Sequence, residues 1–344
     1  MIAKLRGVVL DRWGEFAFES PRPNDISIIQ RSSTWLGAGG KVVFLLFRRG
    51  DRIPFAVAKI VRDERYKHTL QKEFDHLSYV WKNASAGFRR SIPQPILLEC
   101  VGGRTVYMER ALKGKLFPQV IKQNWGIWKK KSTAKILEKV EDWLVQFYSE
   151  MSWERRSLSE QDVCAYFMDP MEAFSRGFPL TSSELKFLNK LQKKTENLVG
   201  QSIPFLPQHG DFWGGSILLD GGEIRVIDWE FFKKRDLPLL DWFMIMVHPG
   251  FSVAKQGVQS LLSEFGYCFK QNLCSDSLKD ISRALCDRIS LNWDFLCVLF
   301  PMFLITLAST RDMNSAGTGH LRNNRWKPLF SYYVQNEAEF AVFN

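Results

Sequence analysis

Gln208-His209-Gly210-Asp211-Phe212-Trp213-Gly214-Gly215-Ser216-Ile217-Leu218-Leu219-Asp220 is followed, after Gly221-Gly222, by Glu223-Ile224-Arg225-Val226-Ile227-Asp228-Trp229-Glu230. A glycine-containing loop leads into a short apolar strand, Gly221-Gly222 closes a hairpin, and a second apolar strand ends in an acid. The reversal is expected to bring Asp211 and Asp228 to one edge. Two carboxylates so placed suit phosphoryl transfer, in which one acid orients the attacking hydroxyl and another holds a magnesium ion against the phosphates.

Upstream of this stretch the texture is that of a sheet. A polar segment ends in Thr34-Trp35-Leu36-Gly37-Ala38-Gly39-Gly40-Lys41, and Val42 to Phe47 follows as a β-rich run. Gly50-Asp51 signals a hairpin, and Phe55-Ala56-Val57-Ala58-Lys59-Ile60 reads as the next strand. The spacing predicts a helix over 65–82, with Leu70, Phe74, Leu77 and Val80 near one face, ended by Pro93 and Pro95. Ile96–Cys100 and Thr105–Met108 read as two more strands around Gly102-Gly103, and beyond Met108 the pattern turns helical, notably over 135–150 and 183–198. Residues 1–30, with Pro21 and Pro23, read as an irregular lead-in or a small edge strand. The expected organisation is an N-terminal lobe over 1–110 and a helical C-terminal lobe over 111–344, linked near Glu109 to Gly114.

The order of these features resembles the aminoglycoside phosphotransferase and choline kinase group, small-molecule kinases with the protein-kinase-like fold. His209-Gly210-Asp211 with Ile227-Asp228-Trp229-Glu230 is similar to that group's catalytic loop and metal site, and Asp236-Leu237-Pro238-Leu239-Leu240-Asp241 to its next landmark. The resemblance runs from about Gly37 to Asp241. It implies an α+β, two-lobed fold with an antiparallel N-terminal sheet carrying one helix, and an enzyme that uses ATP and Mg²⁺. It also implies residue roles: Asp211 as the acid or base that takes the acceptor's hydroxyl proton, Asp228 as magnesium ligand, Lys59 on the α/β-phosphates and Glu73 as its ion-pair partner. Gly37, Gly39 and Gly40 would form the loop over the phosphates, where the lack of a Cβ lets backbone N–H groups approach oxygens closely. Met108, Glu109 and Arg110, within a hinge reaching Leu112, would meet adenine. His209 would brace the loop, and Asp241 would cap it or the following helix. One departure stands out: the group's metal-ligating asparagine, five residues after the catalytic aspartate, is here Ser216, whose hydroxyl can still offer oxygen to a hard cation.

Composition bounds the rest. The 344 residues suit two domains around a cleft, with 45% hydrophobic and 24% charged residues. Residues 1–150 hold 27 Lys and Arg against 15 Asp and Glu, a charge of +12 that leaves −2 over the remainder. A basic half attracts phosphates of any origin. With Lys129-Lys130-Lys131 as its only marked basic block, nucleic acid is not an expected partner, whereas peripheral contact with an anionic membrane stays open. Six cysteines without metal-ligand rhythm, and a start without a secretory apolar core, point to reduced thiols in the cytoplasm. His68, His76, His248 and His320 lack metal-ligand spacing, and Trp125, Trp128, Trp143, Trp153 and Trp242 read as packing residues. Phe295–Ala308, interrupted by Pro301, is short of the roughly 20 residues that span a bilayer and reads as a buried helix. The expected acceptor is a small hydroxylated molecule: a sugar, an amino alcohol or a saccharide-containing cell-surface precursor. The alternative is a pseudokinase, a nucleotide-binding module with weak or no turnover.

Overall fold

The computed structural model describes residues 1–16, 18, 21–32, 40–123, 129–248, 258–269, 273–310, 324 and 326–340. The chain divides into two compact units, Met1–Lys115 with Ser216–Phe232, and Leu116–Gly215 with Lys233–Asn344.

The first unit is built on five antiparallel strands, β1 (Ile26–Ser32), β2 (Lys41–Arg48), β3 (Ala56–Val61), β4 (Pro95–Val101) and β5 (Arg104–Arg110), in the order β1-β2-β3-β5-β4. The β2–β3 register sets Val43 opposite Lys59 and Phe44 opposite Ala58, and β5 continues it with Lys59 opposite Tyr107 and Ala58 opposite Met108. Because side chains alternate along a strand, Phe44, Ala58 and Met108 share one face while Lys59 and Tyr107 share the other. Helix α1 (Ile2–Asp11) covers the first face, with Leu5, Val9 and Trp13 joining Phe44, Ala58, Val106 and Met108 in one core. Helix α2 (Lys67–Asn83) covers the second, burying Leu70, Leu77 and Val80 completely. Each such side chain contributes about 1.5–3 kcal/mol of burial free energy, which outweighs the α2 helix's unremarkable intrinsic propensity.

The helix α1 corrects the reading of residues 1–30 as an irregular lead-in, and it makes a second helix on this sheet besides α2. Its sequence carries Gly7, Val8 and Val9, all poor helix formers, which masked the helical spacing of Ile2, Leu5 and Val9. Burial of Leu5 and Val9 against the sheet supplies what propensity lacks. The edge-strand half of that reading does materialise as β1.

The predicted hairpin forms within the same unit, pairing Ile217–Asp220 with Glu223–Val226. Gly221 and Gly222 have φ of +58° and +89°, the left-handed pair that a two-residue turn of this kind requires.

The second unit is mainly helical. Its helices include Lys129–Glu150, Ser182–Glu196, Leu240–Val247, Leu273–Arg288 and Leu296–Thr310, with a small sheet in which Ser202–Gln208 lies between Glu154–Ser157 and Lys233–Asp236. Thr181 and Glu184 form a capping box at the start of Ser182–Glu196, satisfying two otherwise orphaned amides. Leu296–Thr310 is the buried helix expected around Pro301. Among the described residues no single helix is long and apolar enough to cross a membrane. Trp143 and Trp242 are packed in the core as expected, but Trp153 is exposed; Trp125 and Trp128 lie outside the described residues.

Candidate functional site

Lys59 and Glu73 meet, as expected. Lys59 Nζ donates to Glu73 Oε1 at 2.5 Å and to Asp228 Oδ1 at 2.8 Å, and lies 3.0 Å from Glu109 Oε1. Glu73 reaches this cluster because it occupies the stripe of α2 that also carries Leu70, Leu77 and Val80, so the helix that buries them buries the carboxylate. Burial works against the Lys59 ammonium, but Asp228, Glu109 and Glu73 outweigh it and raise its pKa well above the ordinary value. For Glu73, burial is likewise overcome, by Lys41 and Lys59, and its carboxyl is held low. Glu109 goes the other way: burial dominates and raises it, with Lys59 opposing.

Two members of the cluster have no counterpart in the sequence reading. Lys41 donates to Glu73 Oε2 at 2.5 Å and to Glu230 Oε2 at 2.7 Å, so the two oxygens of Glu73 are divided between two lysines. Tyr107 donates its hydroxyl to Glu109. What places Lys41 there is the β2–β3 register, visible only in the fold, which puts it opposite Val61 on the Lys59 face of the sheet.

The nucleotide-contact candidates at 108–110 belong to β5. The Met108 side chain is in the core with α1, on the face opposite Lys59, and Glu109 is turned inward to Lys59. Arg110 donates its backbone N–H to Gln94 O at 2.8 Å. Gly40 is buried at the start of β2, while Gly37 and Gly39 lie outside the described residues.

Ser216 and Asp228 flank the 217–226 hairpin at its open end, tied by Ile227 N–H to Ser216 O at 3.0 Å. Asp228 has a left-handed backbone, φ 67° and ψ 63°, a strain of about 1–3 kcal/mol that aspartate tolerates better than most residues. Its carboxylate is half exposed. The Ser216 hydroxyl is fully buried and makes no hydrogen bond to any of the described residues, an arrangement that calls for a further polar partner. Hard oxygen donors of these two kinds fit Mg²⁺, which binds one or two protein oxygens and takes its remaining ligands from phosphate and water. Among the described residues no group of three or more His, Cys, Asp or Glu forms a cation cage.

The loop bearing Asp211 is in the second unit. Asp241, at the start of Leu240–Val247, accepts from His209 N–H at 2.5 Å and from Gly210 N–H at 2.8 Å, while its own N–H donates to Gln208 Oε1 at 3.0 Å. Burial pushes the Asp241 carboxyl up to about 7 against those two donors. Gly210 has φ +80°, a conformation that glycine adopts without Cβ strain and that lets both amides face one carboxylate. The Asp211 amide is 3.3 Å from His209 Nδ1, which makes that nitrogen the acceptor and assigns the ring proton to Nε2. His209 is fully buried, in keeping with a bracing role. Trp213 stacks on His248 with centroids 4.7 Å apart, and a Cβ on Gly215 would fall 2.2 Å from the Trp213 ring.

No family model matches the sequence, and no curated protein is significantly similar to it in sequence. Solved structures do match. A thermostable mutant of aminoglycoside phosphotransferase APH(4)-Ia, in ternary complex with AMP-PNP and hygromycin B, superposes with a TM-score of 0.53 at 14% identity, over 96% of this chain and 98% of that one. The GDP and kanamycin complex of APH(2")-IIia gives 0.52 at 11% identity, with the same coverage of each chain. The chain has the aminoglycoside phosphotransferase fold. That fold is the mixed α+β, kinase-like one, with its antiparallel sheet in the first unit and its helices concentrated in the second.

Proposed function

We propose that this protein is an ATP- and Mg²⁺-dependent phosphotransferase that moves the γ-phosphoryl group to a hydroxyl of a small molecule. The observation that carries the reading is the buried Lys59–Glu73 pair with Asp228 on the same ammonium. A core lysine surrounded by three carboxylates has little value as a stabilising device, since burying ions is opposed by desolvation, but it suits a site that exchanges partners for a polyphosphate.

In this reading Lys59 contacts the α/β-phosphates and Glu73 fixes the direction of its side chain. Asp228 and Ser216 hold the magnesium ion, which neutralises charge on the phosphates when bound. Asp211 receives the acceptor's proton, and the Asp241 carboxylate fixes the loop that presents it by gripping the two preceding amides. The end of β5 at Met108 to Arg110, together with the segment to Leu112, meets the adenine, and the glycines at 37, 39 and 40 cover the phosphates. Catalysis comes from positioning and charge neutralisation. The acceptor is a sugar, an amino alcohol or a saccharide-containing precursor; a polycationic aminoglycoside fits poorly with a chain of net charge +10.

Thermal stabilisation by ATP, with and without Mg²⁺, tests the nucleotide half of the proposal, because a ligand that binds only the folded state raises its apparent stability. Mg²⁺-ATP stabilises the wild type, Lys59→Ala loses most of the shift, and Asp228→Asn loses its Mg²⁺-dependent part. Absence of any nucleotide shift in the wild type refutes the proposal. An acceptor panel then separates an enzyme from a pseudokinase: turnover that rises in Ser216→Asn marks a working metal position, and none in either protein leaves a nucleotide-binding module.

A further inference from the structure

We infer that Lys41 is a positioning residue of the nucleotide site, a second lysine that holds Glu73 and the Asp228-Trp229-Glu230 segment together while Lys59 is engaged by phosphate. The inference rests on the proposed nucleotide-binding role and assigns part of it to a residue outside the expected set.

Three observations lead there. First, Lys41 opens β2 directly after Gly40, and the strand register puts it on the same sheet face as Lys59, one diagonal step away. Second, its ammonium bridges two carboxylates from distant parts of the chain, Glu73 on α2 and Glu230 two residues beyond Asp228. The Lys41 side chain is 17% exposed and that of Glu73 only 1%, so these contacts are substantially withdrawn from water. Third, the division of labour at Glu73 is one oxygen to each lysine. With Lys59 as sole partner, every excursion of that ammonium toward a phosphate would strand a buried carboxylate, a state proteins avoid. Lys41 removes the conflict. Glu73 stays compensated, α2 stays seated, and Lys59 can redistribute its contacts among Glu73, Glu109, Asp228 and an incoming anion.

The same bridge has a second consequence. The short helical turn Trp229–Phe231 already rests on α2, with His76 Nδ1 3.2 Å from Trp229 O and Phe232 against both His76 and Tyr79. The Lys41–Glu230 pair adds β2 to that contact, so β2, α2 and the residues after Asp228 are pinned at one point. Neutralising Lys41 releases both attachments at once; neutralising Glu230 releases only the second.

The experiment compares Lys41→Met, Lys41→Arg and Glu230→Gln with the wild type, by ATP affinity in the presence of Mg²⁺ and by amide hydrogen exchange without nucleotide. The expected result is an ATP affinity about tenfold weaker for Lys41→Met, or about 1.4 kcal/mol, and largely restored in Lys41→Arg. Exchange should rise together in α2 and in 229–232 for Lys41→Met, and in 229–232 alone for Glu230→Gln. If Lys41→Met fails to fold, Lys41→Gln, which also removes the charge from both attachments, takes its place in both measurements with the same expected and overturning results. Unchanged affinity and unchanged exchange in folded Lys41→Met overturn the inference. A wild type that does not bind ATP but whose exchange responds as described overturns the nucleotide reading while retaining the bridge between α2 and the Asp228 segment.

Discussion

Replacing Lys59 with methionine keeps the length of the side chain and removes the charge that three carboxylates share. Their responses differ. Glu73 retains Lys41 at 2.5 Å, and Asp228, half exposed, gains water. Glu109 is 4% exposed and, among the described residues, keeps the Tyr107 hydroxyl alone, so the loss concentrates on one buried carboxylate. Stranding such a group costs about 3–5 kcal/mol. The penalty is pH-dependent, and its sign follows from the direction of the shift. Burial already raises the Glu109 carboxyl, and loss of Lys59 removes the cation opposing that rise. A raised folded pKa means the folded protein binds more protons than the unfolded chain between the two values, so stability falls as pH rises through that window. Lys59→Met is therefore expected to be near its least destabilised toward pH 5 and its most destabilised at pH 8. Urea unfolding at both values measures the difference, and Lys59→Met/Glu109→Gln should recover most of the pH 8 loss. A Lys59→Met protein within about 0.5 kcal/mol of wild type at pH 8, or a double variant whose losses simply add, refutes the reasoning.

Asp241→Asn leaves one of the His209 and Gly210 amides facing an NH₂ group, which should destabilise the protein by about 1–3 kcal/mol and lower turnover with nucleotide affinity largely kept. The wild type, with Asp241 raised to about 7, should lose stability as pH rises from about 4 to 7, and the asparagine variant should show a flatter profile over that range; matching profiles would count against the assignment. Gly215→Ala forces a methyl into the Trp213 ring and should cost about 1–3 kcal/mol, read as a lowered urea midpoint, whereas a neutral outcome would mean the ring swings aside from His248.

Much of the candidate site was legible because its signals are local. The hairpin at 217–226 follows from two apolar runs around Gly221-Gly222, and the position of Asp228 follows from the hairpin. The helix after Lys59 follows from apolar spacing, whereas the role of Glu73 came from the resemblance and its place in the buried stripe from the fold. The resemblance implied that Asp241 caps the catalytic loop or the following helix; the amides it accepts from, 31 and 32 residues away, were fixed only by folding.

What the sequence determined by itself is periodicity and turn chemistry: which segments alternate, which repeat every three to four residues, and where glycine must reverse the chain. These placed Lys59 on a strand, Glu73 on the next helix and Asp228 at the end of a hairpin. Tertiary structure decided the rest. It made a helix of Ile2–Asp11 by burying Leu5 and Val9, turned Glu109 inward to Lys59, and joined Lys41 to a glutamate 189 residues further on. Periodicity shows which face a side chain takes, but a buried charge is satisfied by whatever opposite charge folding delivers to that face, and that delivery depends on contacts far apart in sequence.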